Sequence, residues 1–164
     1  MVLKSSLCFV VFLIVFLFPP SDALAQAGKL PPFRIMQTNA QVFNATQLPI
    51  GKPIILIYFD PDCHDCQDFM GQLFSQIKSF QKASLALITN ASINQVILFA
   101  DKYKVSSYKN MVVGTEGSNA PIGNYYHFPP MPFVALYDKN GNLMTTYKKT
   151  IPMADLLGRL GKLK

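Results

Sequence analysis

The feature that most constrains this chain is Cys63-His64-Asp65-Cys66, set between two segments of opposite periodicity. Upstream, Ile54 to Phe59 is an unbroken apolar run rich in β-branched residues, which predicts a strand buried on both faces. Downstream, Phe69, Met70, Leu73, Phe74, Ile77 and Phe80 fall on an i, i+3, i+4, i+7 stripe, which predicts an amphipathic helix over residues 65–80. A strand that hands two cysteines to the first turn of a helix is a dithiol device. Cys63 falls where unpaired backbone N–H groups and the helix dipole favour an anion, so it is the candidate nucleophile. Cys66, within the first turn, is close enough to bond to it and is the candidate resolving thiol.

The remaining cysteine, Cys8, lies in an N-terminal segment with a different character. A lone Lys4 precedes an apolar stretch from Leu7 to Phe18, a Pro19-Pro20 break and Ala23-Leu24-Ala25. That is the layout of a signal peptide cleaved before Gln26. A retained N-terminal anchor is the other reading, although the apolar stretch is shorter than the roughly 20 residues a bilayer span needs. Residues 1–25 are therefore read as a signal peptide, 26–32 as a linker and 33–164 as one domain. Cleavage leaves only Cys63 and Cys66. A bridge closing so small a loop constrains little, so the pair is redox-active rather than structural. Localisation is expected to be periplasmic or otherwise extracytoplasmic, with the membrane touched only through the signal segment if that is uncleaved.

The formal charge of +6 is spread over scattered basic residues, and nothing interleaves them with aromatics as a nucleic-acid surface would. The acids are less even. Asp60, Asp62, Asp65 and Asp68 are four of the nine in the chain and all flank the cysteines. His64, when protonated, favours an anion on Cys63, whereas Asp62 and Asp65 place negative charge beside it and oppose one. This predicts a dithiol that leans toward the reducing role.

Along the chain, residues 33–38 and 40–44 alternate weakly and predict a small hairpin turning at Thr38-Asn39. Residues 85–89 read as a second buried strand, 93–103 as a helix following an N-cap, and 110–113 as a short strand. Residues 114–126, rich in Gly, Ser, Asn and Pro, read as a loop. Residues 132–137 and 142–148 read as a hairpin across Asp138-Lys139-Asn140-Gly141, and Ile151 onward as a C-terminal helix with Pro152 near its first turn.

This order, with "IILIYFDPDCHDC" at the first strand–helix junction and "MPFVALYDKNG" far downstream, resembles the thioredoxin superfamily. Within it the chain is most similar to the exported TlpA/ResA-type proteins of Gram-negative bacteria, with residues 33–52 resembling their added N-terminal hairpin. The resemblance implies a thioredoxin-like three-layer α/β sandwich: a central mixed sheet with an N-terminal β-hairpin extension. It also implies a cis peptide before Pro132 that faces the cysteine pair, with the Met131 backbone offered to a substrate chain. The implied activity is thiol–disulfide exchange by a monomer, without a cofactor, acting on protein thiol and disulfide substrates and recharged by an upstream electron donor. No nucleic-acid partner is expected.

Three positions depart from the family pattern. Asp62 stands where an aromatic often precedes the first cysteine. Ile57 stands where a buried carboxylate often assists the second. The intervening dipeptide is His-Asp. A second reading, a copper chaperone resembling the Sco proteins, would use Cys63, Cys66 and His127, since thiolate and imidazole suit copper. Sco-type cysteines are spaced one residue wider. A thiol peroxidase is weaker still, because the signature around a peroxidatic cysteine is missing.

Overall fold

A computed structural model describes residues 28–49 and 51–163. The signal-peptide reading falls on residues outside this set. Among the described residues no helix is long and apolar enough to cross a membrane.

Seven strands form one sheet in the order β2-β1-β5-β4-β3-β6-β7. They are β1 (Arg34–Met36), β2 (Val42–Asn44), β3 (Ile54–Tyr58), β4 (Ser84–Thr89), β5 (Met111–Thr115), β6 (Phe133–Tyr137) and β7 (Leu143–Lys148). The helices are α1 (His64–Ser75), α2 (Ile93–Tyr103), α3 (Pro121–Tyr125) and α4 (Met153–Lys162). β3 lies inside the sheet beside the central β4, parallel to β4 and antiparallel to β6, with every residue buried. That is what an unbroken apolar run requires, because both faces of a central strand are covered. β4 and β5 are parallel, and β6 and β7 form the antiparallel hairpin. The sheet is mixed, as expected.

The two faces carry separate cores. On one, α1, α2 and α4 pack Phe69, Met70, Leu73, Val96, Phe99 and Leu156 over Ile55, Ile57, Leu85, Leu87 and Val134. On the other, Ile122 of α3, Leu48 and the N-terminal stretch carrying Phe33 and Ile35 cover Leu56, Tyr58, Ile88 and Tyr137. The third layer of the sandwich is therefore thin, built mostly from irregular chain.

Several boundaries differ from the sequence expectations, each for a local reason. The N-terminal hairpin is present, but its strands are three residues long and the chain turns over 37–41, with Ala40 in the left-handed region and the Asn39 side chain accepting from the Gln41 amide. α1 stops at Ser75, and Ile77–Phe80 tightens into a 3₁₀ turn. The stretch 114–126, expected to be a loop, completes β5 with Gly114 and Thr115 and then forms α3. Pro121 at the first helical position was its one visible signal. Its capping acceptor is remote: Glu116 takes the amides of Ile122 at 2.7 Å and Gly123 at 3.2 Å. Finally, residues 29–31, read as linker, are held. Lys29 bridges Asn142, the Leu30 amide donates to the Gly141 carbonyl at 2.9 Å, and Pro31 is buried.

Candidate active site

Beyond β3 the chain leaves the sheet through a tight turn that sets the cysteines. The Asp60 carboxylate accepts the Asp62 amide at 2.8 Å, and the Asp60 carbonyl accepts the Cys63 amide at 3.2 Å. Cys63 then adopts the extended backbone of a helix N-cap (φ −76°, ψ 126°), and its carbonyl takes the first helical bond from the Gln67 amide at 3.0 Å. No side chain caps this end. The free N–H groups and the positive end of the α1 dipole are thus left to the Cys63 sulfur.

Cys66 follows three residues later, which turns it inward. It is 1% exposed and joins the core with Phe69, Met70 and Leu73, whereas Cys63 is half-buried. Both are free thiols. Burial pushes the Cys66 thiol up to about 12; the Asp60 amide, bonded to the sulfur, opposes this, while Cys63 and the Asp60 charge add to it. The pair is therefore asymmetric, with one sulfur accessible at a helix start and one held as a neutral thiol behind it.

Met131 and Pro132 arrive from β6. The Met131–Pro132 peptide is cis. The register Tyr58↔Phe133 brings Pro132 to the end of β3 from which the cysteine turn departs. Met131 packs against the core that contains Cys66 and is flanked by Cys63. The structure thus places Cys63, Cys66, Met131 and Pro132 at the same end of the sheet.

The other residues singled out from sequence are placed differently. The Asp62 carboxylate accepts Gln95 Nε2 of α2 at 2.6 Å. His64 Nε2 lies 3.5 Å from Asp68 Oδ2, with both side chains largely exposed. Asp65 lines a shallow groove with Asp68, Gln72 and Lys149. His127 is exposed with φ 57°. Among the described residues no three His, Cys, Asp or Glu side chains form a group that could hold a metal ion, so His127 is not assembled with the cysteines. Ile57 is fully buried among apolar neighbours, and no carboxylate takes its place in the strand.

Two residues shape the site in ways the sequence reading did not give: Asp60 was noted only as local charge, and Gln95 was not singled out. Asp60 builds the turn and touches Cys66 through its backbone, and an Asp-Pro-Asp sequence after a strand is a turn signal that could have shown it. Gln95 closes a capping box with Ser92, whose hydroxyl and amide both reach its Oε1, while its Nε2 holds Asp62. The Ser-x-x-Gln spacing announces the box but not its reach across to the cysteine turn. Between α1 and α2 a cavity of about 150 Å³, lined by Asp60, Asp62, Cys66, Gln95 and Phe99, opens behind the motif.

No family model matches the sequence, and no curated protein matches it. Solved structures do. A secreted disulfide oxidoreductase of Mycobacterium tuberculosis, homologous to E. coli DsbE, superposes with a TM-score of 0.66 at 21% identity, covering 80% of this chain and 96% of its own. The exposed lipoprotein thioredoxin of Streptococcus pneumoniae gives 0.62 at 19% identity, over 81% and 100% of the two chains. Copper-bound ScoI of Arabidopsis thaliana gives 0.62 at 16%, over 80% and 95%. With the sheet order, the strand–turn–helix carrying the two cysteines and the cis Met131–Pro132 bond, these matches establish that the protein has the thioredoxin-like fold.

Proposed function

We propose that the protein is an exported thiol–disulfide oxidoreductase that reduces disulfides in protein substrates. The observation that carries this reading is the asymmetry of the two free thiols: Cys63 is accessible at the uncapped start of α1 and Cys66 is buried one turn behind it. The Cys63 thiolate attacks a substrate disulfide, forming a Cys63–substrate bond and expelling one substrate thiolate. Cys66 then loses its proton and attacks Cys63. The mixed disulfide breaks, the second substrate sulfur leaves and is protonated, and Cys63–Cys66 is the oxidised product. A thiol held neutral until that moment does not compete with Cys63 for the incoming disulfide. An extended substrate segment would lie along the Met131 backbone as an added strand. An upstream electron donor returns the pair to the dithiol, and the protein works as a monomer.

Export is supported by the signal-like residues 1–25 and by the secreted and surface-exposed character of two of the structural neighbours. The reducing direction is supported by the four aspartates around the motif. His64, Asp62 and Asp65 would tune the pair through that local charge. The test is a Cys66→Ser trap, expressed with an intact leader. It should accumulate protein-linked mixed disulfides on Cys63, and the wild type should reduce insulin. No trapped partner together with no insulin reduction overturns the activity. A reduction potential as high as about −120 mV, that of a strong oxidant, overturns the reducing direction.

A further inference from the structure

Strand direction sorts the charges of this molecule into two ends. β3, β4 and β5 are parallel, and from their C-terminal ends depart the turns and loops that carry Asp60, Asp62, Asp65, Asp68 and Glu116. The opposite end holds the starts of those strands and, through the register Ile54↔Tyr137, the end of β6. Lys52 precedes β3, Lys78 and Lys82 precede β4, and Lys139 follows β6, so all four converge there. The C-terminal turn of α4 reaches the same place.

These residues form one surface. Lys78, Lys82 and Lys139 rim a groove of about 580 Å³ with Pro53, Leu157 and Leu163 among its apolar lining. All three lysines are exposed, and among the described residues none is in an ion pair. The acids the topology places at this end are Asp101 and Asp138, and the Asp138 carboxylate is already engaged by Asn140 and Asn142.

A second observation falls on the same end. The chain enters the fold at Lys29 and Leu30, held against Asn142 and Gly141 two or three residues from Lys139. The described chain therefore enters the fold beside the lysine groove and not beside the cysteines.

We propose that this basic end docks on a bilayer surface bearing anionic lipid headgroups. Lysines around a leucine floor suit that occupant, because ammonium groups meet the headgroup phosphates while stems and floor meet the acyl boundary. A single-stranded nucleic acid would call for stacked aromatics, and the groove lining has none. Each lysine near such a surface strengthens binding about five-fold, an effect confined to roughly the Debye length of 8 Å. β3 separates the two ends by about 17 Å. The docked orientation therefore leaves Cys63 facing away from the lipid and open to substrate.

The test uses the protein in whichever N-terminal form an exporting host yields. Its partition is measured on phosphatidylcholine vesicles with and without phosphatidylglycerol. The preference for anionic vesicles should fall on the order of 100-fold in Lys78→Gln/Lys82→Gln/Lys139→Gln and about five-fold in Lys82→Gln alone. It should fade as salt rises, and disulfide exchange should be unchanged. A Lys148→Gln/Lys149→Gln variant, altered at the cysteine end of β7, should keep the preference. Equal partition onto both vesicle types overturns the proposal. So does a loss in the Lys148/Lys149 variant as large as in the groove variant, or duplex DNA displacing the protein from the vesicles at equal phosphate.

Discussion

On one face of the sheet, three helices lay continuous apolar stripes over β3, β4 and β6, and the cysteine pair is embedded in that packing. On the other, one five-residue helix and an irregular stretch of chain cover the same strands, with aromatic and polar side chains filling what helices fill opposite. There the Tyr126 and Tyr137 hydroxyls meet, Tyr58 buries its hydroxyl with no geometrically formed hydrogen bond among the described residues, and Glu116 caps α3 from six residues upstream. The first face is held by broad apolar burial under regular helices, and the second includes close approaches that leave little room for added volume. The chemistry sits on the helical face.

Alkaline titration gives the largest expected effect and separates the faces. The folded state holds the Cys66 proton to about 12 against an ordinary 9.0, so above pH 9 the unfolded chain ionises first and gains stability. The contribution is fully present below pH 9 and is lost as pH rises toward 12, at up to about 1.4 kcal/mol per pH unit. Tyr58, Tyr126 and Tyr137, all raised above their ordinary 10.0 chiefly by burial, do the same from the other face as pH approaches and passes 10. Between pH 9 and 10, denaturant midpoints of the reduced wild type should fall more steeply than those of Cys66→Ala, in which only the raised tyrosines remain to respond. Matching slopes would mean that the helical face does not fail first.

The next effect is Gly123→Ala. A Cβ there would lie 2.7 Å from the Tyr58 hydroxyl and 2.8 Å from Phe128 Cε1. Overpacking of this kind costs about 1–3 kcal/mol, to be read from urea unfolding. A neutral result would show that Tyr58 and Phe128 have room to give way. The smallest is Tyr58→Phe, which removes a buried, unpartnered hydroxyl and should leave stability unchanged or raise it by up to about 1 kcal/mol. A clear loss in the thermal midpoint would mean that the hydroxyl has a partner, with the nearby Glu116 carboxylate the first to examine.

The contrast also explains which parts of the structure were legible in the sequence. Ile54 to Phe59 and the stripe from Phe69 to Leu73 are periodic, and periodicity is what burial under a regular element writes into a chain. Cys63 and Cys66 could be named from their motif and spacing, and the cis Met131–Pro132 bond because the family resemblance implied it. α3 could not, since its cap is Glu116 and no Ser, Thr, Asp or Asn stands at the N-cap, which is Ala120 in the left-handed region. Asp62 was legible as charge beside Cys63, but not as the acceptor of Gln95, because a contact across thirty-three residues leaves no local pattern. Residues 29–31 look like a linker in composition, and only the exposed edge at Gly141 to Leu143 explains why they are held.

That short attachment has a mechanical consequence. It consists of a single bridge at the end of the sheet, so a pull on the N-terminal segment opens it as a zipper, one hydrogen bond at a time. The load meets the β6–β7 turn first and does not run in shear along β3. The first contacts to open under such a pull therefore lie at the far end of β3 from the cysteines.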